Sequence, residues 1–341
     1  MKKLLAALSA AALALGSCTV RSAPAASSSM EYAKWFSVRG DTVTVISPWG
    51  APALTIAVDR PFGKIVCMSS SYIGYLDAIG CDSVICAVSG KDYITLPSIH
   101  ERGVPDIGYE ASPDYETVVS LNPDIVIAYT VSDMEPQYIA RLRSLGVRVA
   151  VIYDQMEEHP LARAEYMRFF GALTGRRAES DSAFAFVRDR YISLRREVQK
   201  PAKVLVNIPY ADQWYIPGGD SYMSQLVRDA GGEVLGSVPG TSSSSVISVE
   251  RAYSLSAQAD FWLDTGWCNT LEQLHGANPL FGDFPVIGRQ VWNNTLRATP
   301  GGGNDFWESG AARPDLILED LVKIFSAAAG TVPLNYYLRV E

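Results

Sequence analysis

Short apolar runs alternate with amphipathic stretches along most of the chain, and the two kinds of run predict different elements. Apolar runs of five or six residues at 64–68, 83–88, 124–128 and 147–152 have the length and composition of buried strands. Between them, helical spacing of apolar residues predicts helices over 72–79, 115–121 and 139–145, and glycines follow two of these helices. Apolar strands that alternate with helices predict a parallel sheet covered on both faces.

The pattern becomes purely helical after Pro160 and alternates again from residue 203. Apolar positions at helical spacing predict one helix from Pro160 to Gly175 and a second over about 177–199. The later part of the chain then predicts strands at 203–208 and 260–263, and helices at 221–230, 250–256 and 316–325. We therefore expect two α/β lobes connected by a long helical segment.

One sequence element occurs in both halves of the chain. YETVVSLNPDIVI at 115–127 and VERAYSLSAQADFWL at 249–263 each place a glutamate at a helix start, a leucine five residues later, and an aspartate that opens an apolar strand. The repeat predicts the same internal arrangement in both lobes, with Glu116 and Glu250 at equivalent helix starts. For each glutamate alone, an acid that complements the helix dipole is a sufficient explanation.

The N-terminus has the pattern of an export signal. Lys2 and Lys3 precede an apolar run at 4–15 that is too short to span a bilayer. The Leu-Gly-Ser-Cys sequence that ends at Cys18 resembles the bacterial lipobox, in which the cysteine is lipidated; an ordinary signal peptide with an incidental Cys18 is the alternative. Small polar residues after Cys18 are typical of a flexible tether.

These patterns divide the chain into consecutive segments. The predicted segments are a signal peptide at 1–17, a lipid-anchored tether at 18–34, an N-terminal β-hairpin at 35–58, an N-terminal lobe at 59–159, connector helices at 160–200, a C-terminal lobe at 201–330 and a tail at 331–341. The length of 341 residues fits two domains rather than one.

Charge and composition exclude several classes of function. The formal net charge is −8, and removal of residues 1–17 with their two lysines makes it −10, so binding of nucleic acid through phosphate contacts is not expected. Three histidines and the absence of a CxxC spacing argue against a dedicated metal site. Four cysteines remain after Cys18, and the sequence leaves open whether they form disulfides or stay as buried thiols: Cys67, Cys81, Cys86 and Cys268.

Candidate binding residues follow the predicted strands, because open α/β sheets bind ligands at the carboxyl ends of their strands. Rigid aromatic side chains in such positions suit a flat or bulky ligand, although core packing is the alternative for each of them. A glycine-rich stretch, GGGNDFWE at 301–308, adds two candidates in an irregular loop. The candidates are Ser70, Tyr72, Tyr93, Tyr129, Trp214, Tyr215, Trp267, Asn269, Asn294, Asp305 and Trp307.

The order and spacing of these motifs resemble the substrate-binding proteins of ABC importers for iron-siderophores, haem or cobalamin. The resemblance covers nearly the whole mature chain and rests on KIVCMSSSYIGYLDAIG at 64–80, LNPDIVI at 121–127, GGDSYM at 218–223 and the C-terminal segment. It implies an α/β fold with two Rossmann-like lobes, parallel sheets and a single long helical connector, the class III periplasmic binding protein fold. It also implies that Glu116 and Glu250 dock on arginines of a permease dimer.

The same resemblance implies a binding protein rather than an enzyme, with a metal chelate or tetrapyrrole as its ligand and no separate cofactor. We expect a monomer in the cell envelope that faces the periplasm and contacts the membrane only through its lipid. The alternatives are an adhesin-like surface lipoprotein and a GDS-type hydrolase with Ser221 as nucleophile. The chain lacks a GxSxG motif, and His275, its last histidine, is not preceded by the Asp-x-x of that hydrolase type. The sequence leaves open which chelate is bound, the sorting between inner and outer membrane, and the degree of lobe closure.

Overall fold

The computed structural model describes residues 30–326 and 333–341. The predicted signal peptide, Cys18 and the first part of the predicted tether lie outside the described residues. The described chain begins with a small antiparallel sheet of three strands, β1 (Phe36–Arg39), β2 (Thr42–Val45) and β3 (Leu54–Ala57). The sequence predicted β2 and β3 as a hairpin, and β1 adds a third strand beside β2.

The N-terminal lobe is a four-stranded parallel sheet between helices. Its strands have the order β5-β4-β6-β7 and an apolar interior. The strands are β4 (Ile65–Cys67), β5 (Ile85–Val88), β6 (Ile125–Tyr129) and β7 (Val149–Ile152), and the helices up to the lobe boundary are α1 (Ser70–Ala78), α2 (Pro97–Glu101), α3 (Tyr115–Leu121), α4 (Gln137–Ser144), α5 (Pro160–Ala164) and α6 (Tyr166–Thr174).

A single helix, α7 (Arg177–Leu194), connects this lobe to the next one. Its 18 residues give it a length of about 27 Å. Its buried residues Ser180, Phe184, Val187 and Tyr191 follow one narrow stripe, as expected for a helix that lies on the surface of both lobes.

The C-terminal lobe has a five-stranded sheet in the order β10-β8-β12-β13-β14, in which only β14 is antiparallel. A separate two-stranded antiparallel ribbon, β9 with β11, lies beside it. The strands are β8 (Ala202–Val206), β9 (Trp214–Ile216), β10 (Gly232–Val234), β11 (Ser245–Ile247), β12 (Phe261–Leu263), β13 (Gln290–Asn293) and β14 (Leu338–Arg339), and the helices are α8 (Tyr222–Asp229), α9 (Val249–Ser256), α10 (Leu271–Ala277), α11 (Ser309–Ala312) and α12 (Pro314–Phe325).

The two parallel sheets have the same strand order. In each lobe the first strand lies between the second and the third, and the fourth lies beyond the third. The repeated sequence element forms α3 and β6 in one lobe and α9 and β12 in the other, which are equivalent places in that order. Both lobes therefore have a Rossmann-like arrangement, and the predicted α/β fold class is confirmed.

The repeated aspartates perform the same task in both lobes. The backbone N–H of Asp124 donates to the carbonyl of Lys64 (2.9 Å), and its carboxylate accepts from the N–H of Lys64 (2.9 Å). Asp260 makes the same two bonds with Lys203, at 2.7 and 2.9 Å. In each lobe the aspartate thus fixes the start of the third strand against the start of the first.

The predicted tether is wrong in its last residues. Backbone N–H groups of Glu31, Tyr32 and Ala33 each donate to the fully buried Glu165 carboxylate at 2.8 Å. Glu157, also buried, accepts from the N–H groups of Lys34 and Trp35. A buried carboxylate needs such donors, so residues 31–35 are part of the folded lobe.

The predicted connector and tail also differ from the structure. Helix α6 packs on α1 and on the small sheet and so belongs to the N-terminal lobe, whereas the short helix α5 also contacts α8, α11 and α12 of the C-terminal lobe. The long connecting helix is α7. The predicted tail supplies β14, and the buried Asp320 carboxylate accepts the N–H groups of Asn335, Tyr336 and Tyr337. The last residues thus complete the C-terminal lobe.

Candidate functional site

The carboxyl ends of the two sheets face each other. The loop after β5 contacts the loop after β13, because Cβ atoms added at Gly301 and Gly303 would lie 2.6 Å from the carbonyl oxygens of Asp92 and Tyr93 respectively. These glycines therefore allow a close backbone approach between the lobes.

The opposite edge of the two sheets is closed by a second contact between the lobes. Arg163 in α5, which follows β7, lies over the ring of Tyr222 at the start of α8, with its guanidinium carbon 4.4 Å from the ring centre. The same guanidinium donates to the carbonyls of Asp154 and Gln155, both at 3.1 Å. The carboxyl ends of the central strands β4, β6, β8 and β12 lie between these two edge contacts, and we call the region between them the cleft.

Exposed aromatic side chains lie on the N-terminal side of this cleft. Tyr93 and Tyr109 are about half exposed and contact each other edge to face, with ring centres 5.9 Å apart. Tyr129, at the end of β6, is half-buried and donates its hydroxyl to Glu110. Burial and the nearby Glu110 carboxylate raise the pKa of the Tyr129 phenol, so it stays protonated and acts as a donor.

A pocket of about 730 Å³ opens beside Tyr129. Its walls include Tyr115 and Tyr138, and the hydroxyl of Tyr138 is buried without a hydrogen-bond partner. Ser70, another candidate, is half-buried in the first turn of α1. The end of the N-terminal sheet therefore combines aromatic surface with a few polar groups, as ligand pockets commonly do.

On the C-terminal side, Trp267 has the most exposed indole, with 63% of its surface accessible. Asn293 stabilises the loop that carries Trp267. Its side-chain amide donates to the carbonyls of Gly266 (2.9 Å) and Cys268 (3.1 Å) and to Asn269 Oδ1 (2.8 Å). Asn269 therefore supports the Trp267 loop with its side chain. A rigid loop that presents an exposed indole is suited to contact a planar ligand.

Tyr210 and Tyr215 extend the aromatic surface beyond β8. Asn207, directly after this strand, has a φ of 68°. Its side-chain amide donates to the carbonyl of Tyr215 (2.8 Å), and its own carbonyl accepts the indole N–H of Trp262 (2.8 Å). Asparagine tolerates this left-handed conformation better than most residues. The turn at Asn207 and its bond to Tyr215 therefore hold the start of the β9 ribbon near the end of β8.

Two predicted ligand contacts are core residues in the structure. Tyr72 is fully buried, and its hydroxyl donates to the carbonyl of Ala128 at 3.2 Å. Trp214 is fully buried as well; it stacks on Phe284 and donates to the carbonyl of Val206 at 2.9 Å. Alternation within β9 turns Trp214 inward and the next residue, Tyr215, outward. Neither Tyr72 nor Trp214 is available to a ligand.

Three further candidates lie in or near the segment that joins the lobes. Asn294 is 7% exposed and accepts from the amide of Asn304, so its role is structural. Asp305 accepts from Thr95 of the other lobe (3.2 Å) and pairs with Arg297 (3.1 Å). Trp307 is 47% exposed and remains a candidate for ligand contact.

Glu308, which the sequence placed in the same irregular loop as Asp305 and Trp307, is buried. Its carboxylate accepts the backbone N–H groups of Thr95 and Leu96, both at 2.8 Å, and so connects the C-terminal segment to the N-terminal lobe. Burial raises its pKa to about 7. The sequence analysis missed three exposed aromatics, Tyr109, Tyr210 and Trp49. Of these, Tyr210 follows a predicted strand, and the same rule that selected Tyr93 would have found it.

Glu116 and Glu250 occupy matching positions. Each is exposed and is the second residue of its helix. In each helix the residue two positions before the glutamate is the N-cap, and its side chain accepts the N–H of the residue that follows the glutamate. Asp114 is the cap of α3 and accepts from Thr117 (3.0 Å), and Ser248 is the cap of α9 and accepts from Arg251 (3.2 Å). Both carboxylates therefore project from the carboxyl-end side of their lobes, beside the cleft.

The residues of the hydrolase alternative, Ser221 and His275, have structural surroundings in the described part of the chain. Ser221, the nucleophile of the hydrolase alternative, is the cap of α8, and its hydroxyl accepts from the N–H of Ser224. His275 lies in α10, against Gly282. Within residues 30–326 and 333–341, no group of three His, Cys, Asp or Glu side chains is placed to hold a metal ion.

The four cysteines that the structure describes are free thiols, and three of them are buried. No described helix combines the length and apolar character needed to cross a bilayer.

Comparison with known proteins identifies the family. The model of the family described as periplasmic binding protein matches residues 65–299, which includes both sheets except β14. This chain belongs to that family. Its connector helix and paired parallel sheets give this periplasmic binding protein the class III fold.

Individual relatives are distant. An uncharacterized lipoprotein of Methanocaldococcus jannaschii is 25% identical over 291 residues, which are 80% of this periplasmic binding protein and 67% of the relative. A periplasmic binding protein of Veillonella parvula superposes with a TM-score of 0.63 at 16% identity, over 84% of this chain and 99% of the other.

Two further solved structures share the fold and have named ligands. A periplasmic heme binding protein of Pseudomonas aeruginosa has a TM-score of 0.62 at 18% identity and covers 82% of this chain and 98% of its own. A periplasmic vitamin B12 binding protein of Vibrio cholerae has a TM-score of 0.58 at 15% identity and covers 79% and 98%. At these identities the likeness establishes the fold alone.

Proposed function

We propose that this protein captures a metal chelate or tetrapyrrole (an iron-siderophore, haem or cobalamin) between its lobes and delivers it to the permease dimer of an ABC importer. The observation that carries the proposal is the matched placement of Glu116 and Glu250 at equivalent helix starts of two equivalent lobes. Exposed carboxylates in such a pair suit bidentate contact with two arginines of a symmetric partner.

The ligand is held by aromatic contact in this proposal. Tyr93, Tyr129, Tyr215, Trp267 and Trp307 keep exposed or half-exposed rings at the carboxyl ends of the strands or in the segment that joins the lobes, where a flat ligand would lie. The named ligands of two solved structures with this fold, heme and vitamin B12, each contain a large, flat metal-binding macrocycle.

Charge reversal tests the docking part of the proposal. The double variant Glu116→Arg/Glu250→Arg should abolish uptake of the ligand by cells, while its affinity for the ligand in solution stays within about twofold, because the two side chains lie outside the cleft surface. The matched control is Glu101→Arg/Glu233→Arg, which reverses two other exposed acids. Uptake that survives the first pair, or fails equally with the control, would refute docking by these residues.

The ligand itself is accessible by purification. Protein isolated from its native host should carry a species that absorbs visible light and that mass spectrometry identifies, since all three proposed ligands are coloured. Lipid attachment at Cys18 is tested on the same material: the wild-type chain should partition into detergent, and a Cys18→Ala variant should not. A monomer is expected in both cases, measured by light scattering of the delipidated protein.

A further inference from the structure

The loops at the carboxyl ends of the strands contain many more acidic than basic residues. We name them the cleft loops, and they comprise residues 68–69, 89–93, 108–114, 130–136, 153–159, 207–213, 217–221, 235–244, 264–270 and 294–308. They contain two basic residues, Lys91 and Arg297. Arg297 is already paired with Asp305 at 3.1 Å and lies over the ring of Tyr336. Lys91 is therefore the one cation of these loops that is left for a ligand.

Acidic side chains outnumber these cations in the same loops. Five exposed carboxylates and the half-buried Glu110 have no lysine or arginine among the described residues within ion-pair distance; the exposed ones are Asp92, Asp114, Asp133, Asp212 and Asp220. They come from both lobes, so a ligand in the cleft meets negative charge on both sides. Charges of one sign that line a cleft act together, since the low-dielectric walls concentrate their field.

Other arginines of the C-terminal lobe lie along its β10 edge. A pocket of about 910 Å³ there is lined by Arg195, Arg196 and Arg228, and also by Gly219, Ser237 and Pro239 of the cleft loops. Arg195 is paired with Asp229 at 2.9 Å, and Arg228 donates to the carbonyl of Gly219. Two of these three arginines are therefore already engaged by groups of the protein.

We propose that the ligand is a metal chelate of zero or positive net charge, and that the cleft rejects polyanionic chelates such as iron tris-catecholates. This inference rests on the proposed function and narrows its ligand class. The exposed rings supply contact area for either kind of chelate, so charge decides between them. A trianionic complex would lie among six uncompensated carboxylates, and Lys91, together with Arg141 in the wall of the Tyr129 pocket, would offset a minor part of that repulsion.

Three coloured probes of different charge test the proposal. Ferrioxamine B carries one positive charge, cyanocobalamin is neutral, and the iron complex of enterobactin carries three negative charges. Quenching of tryptophan fluorescence by each probe gives its Kd. We expect ferrioxamine B or cyanocobalamin to bind at least 100-fold more tightly than the trianion, and the ratio to shrink as salt rises from 20 to 500 mM.

Neutralisation of the acids separates charge from shape. The variant Asp92→Asn/Asp133→Asn/Asp212→Asn should increase affinity for the trianion at least tenfold and leave affinity for cyanocobalamin within twofold. Asparagine suits position 212, where φ is 64°. The control Glu101→Gln/Glu197→Gln/Glu233→Gln removes three exposed acids outside the cleft loops and should change neither affinity.

The outcomes distinguish this inference from the function on which it rests. Tightest binding by the trianion or by haem, whose propionates are anionic, overturns the charge rule and leaves the proposed function standing. An unchanged Kd for the trianion in the triple asparagine variant overturns the rule as well. Failure of all the probes and of haem to bind, together with colourless protein from the native host, overturns the proposed function itself.

Discussion

Gly74 of α1 lies directly against the backbone carbonyl of Glu308, so that a Cβ at position 74 would overlap that carbonyl. The two residues belong to different lobes, and the carboxylate of the same Glu308 accepts two N–H groups from Thr95 and Leu96. The segment around Glu308 therefore joins the lobes in addition to α7 and to the contact of Arg163 with Tyr222. Junctions beyond α7 restrict the relative movement of the lobes more than a single connecting helix would.

The first prediction concerns this contact. Gly74→Ala should lower the free energy of unfolding by about 1–3 kcal/mol, because the added methyl group meets backbone that cannot rotate away. Chemical denaturation measures the change. The control is Gly276→Ala in α10, where the added methyl group meets no atom within 4 Å and the stability should rise by about 0.5–1 kcal/mol. Equal stability of the two variants would contradict the close contact.

Glu308 itself provides the second prediction. Glu308→Ala leaves the part-buried N–H groups of Thr95 and Leu96 without their acceptor, which costs on the order of 1 kcal/mol. Hydrogen exchange of these two amides should accelerate at least tenfold relative to the wild type. Glu233→Ala, at an exposed position of β10, is the control and should leave their exchange unchanged. Slow exchange of both amides in Glu308→Ala would show that other contacts hold the lobes together.

Stability should depend on pH in a defined direction. Burial raises the pKa values of Glu157, Asp264 and Glu308 to about 7 in the folded protein, above the ordinary values near 4 of the unfolded chain. Between about pH 4 and 7 the folded state therefore binds more protons than the unfolded state, and stability falls as pH rises through this window. We expect a higher free energy of unfolding at pH 5.5 than at pH 8.0, by on the order of 1 kcal/mol per group.

A variant isolates one contribution to that pH dependence. Glu157→Gln removes a titrating group, so the difference between pH 5.5 and pH 8.0 should shrink relative to the wild type. Glu101→Gln, at an exposed helix position, should keep the wild-type difference. A stability that rises with pH over this range would contradict the assignment of raised pKa values to buried carboxyl groups.

The fourth prediction separates the tryptophans of the cleft from those of the core. Trp267→Ala should weaken binding of the preferred probe at least tenfold and change stability by less than about 0.5 kcal/mol, because the indole is mostly exposed. Trp214→Ala should lower stability by about 3–5 kcal/mol, because it empties a stacked site between Trp262 and Phe284. Titration and denaturation of both variants measure these effects. Loss of stability in Trp267→Ala would place its ring in the core instead.

Some features of these residues could be predicted from the sequence and others could not. The helix starts at Glu116 and Glu250 were predictable, because each combines a local capping pattern with an apolar run that follows at a fixed spacing. The burial of Tyr72 and Trp214 was not, because the position of a residue near a strand end does not reveal which way its side chain points. The roles of Glu157, Glu165 and Asp320 depend on N–H groups far away in the chain.

The sequence by itself determined the α/β class, the repeat of one unit in two lobes and the presence of a helical connector between them, since periodicity, caps and glycine stops are local properties of the chain. Tertiary structure decided the rest: which aromatic rings stay exposed, that 301–308 joins the lobes, and that the last residues enter a sheet. These features arise from contacts between residues distant in sequence, because burial and the satisfaction of buried polar groups are set by the packed structure as a whole.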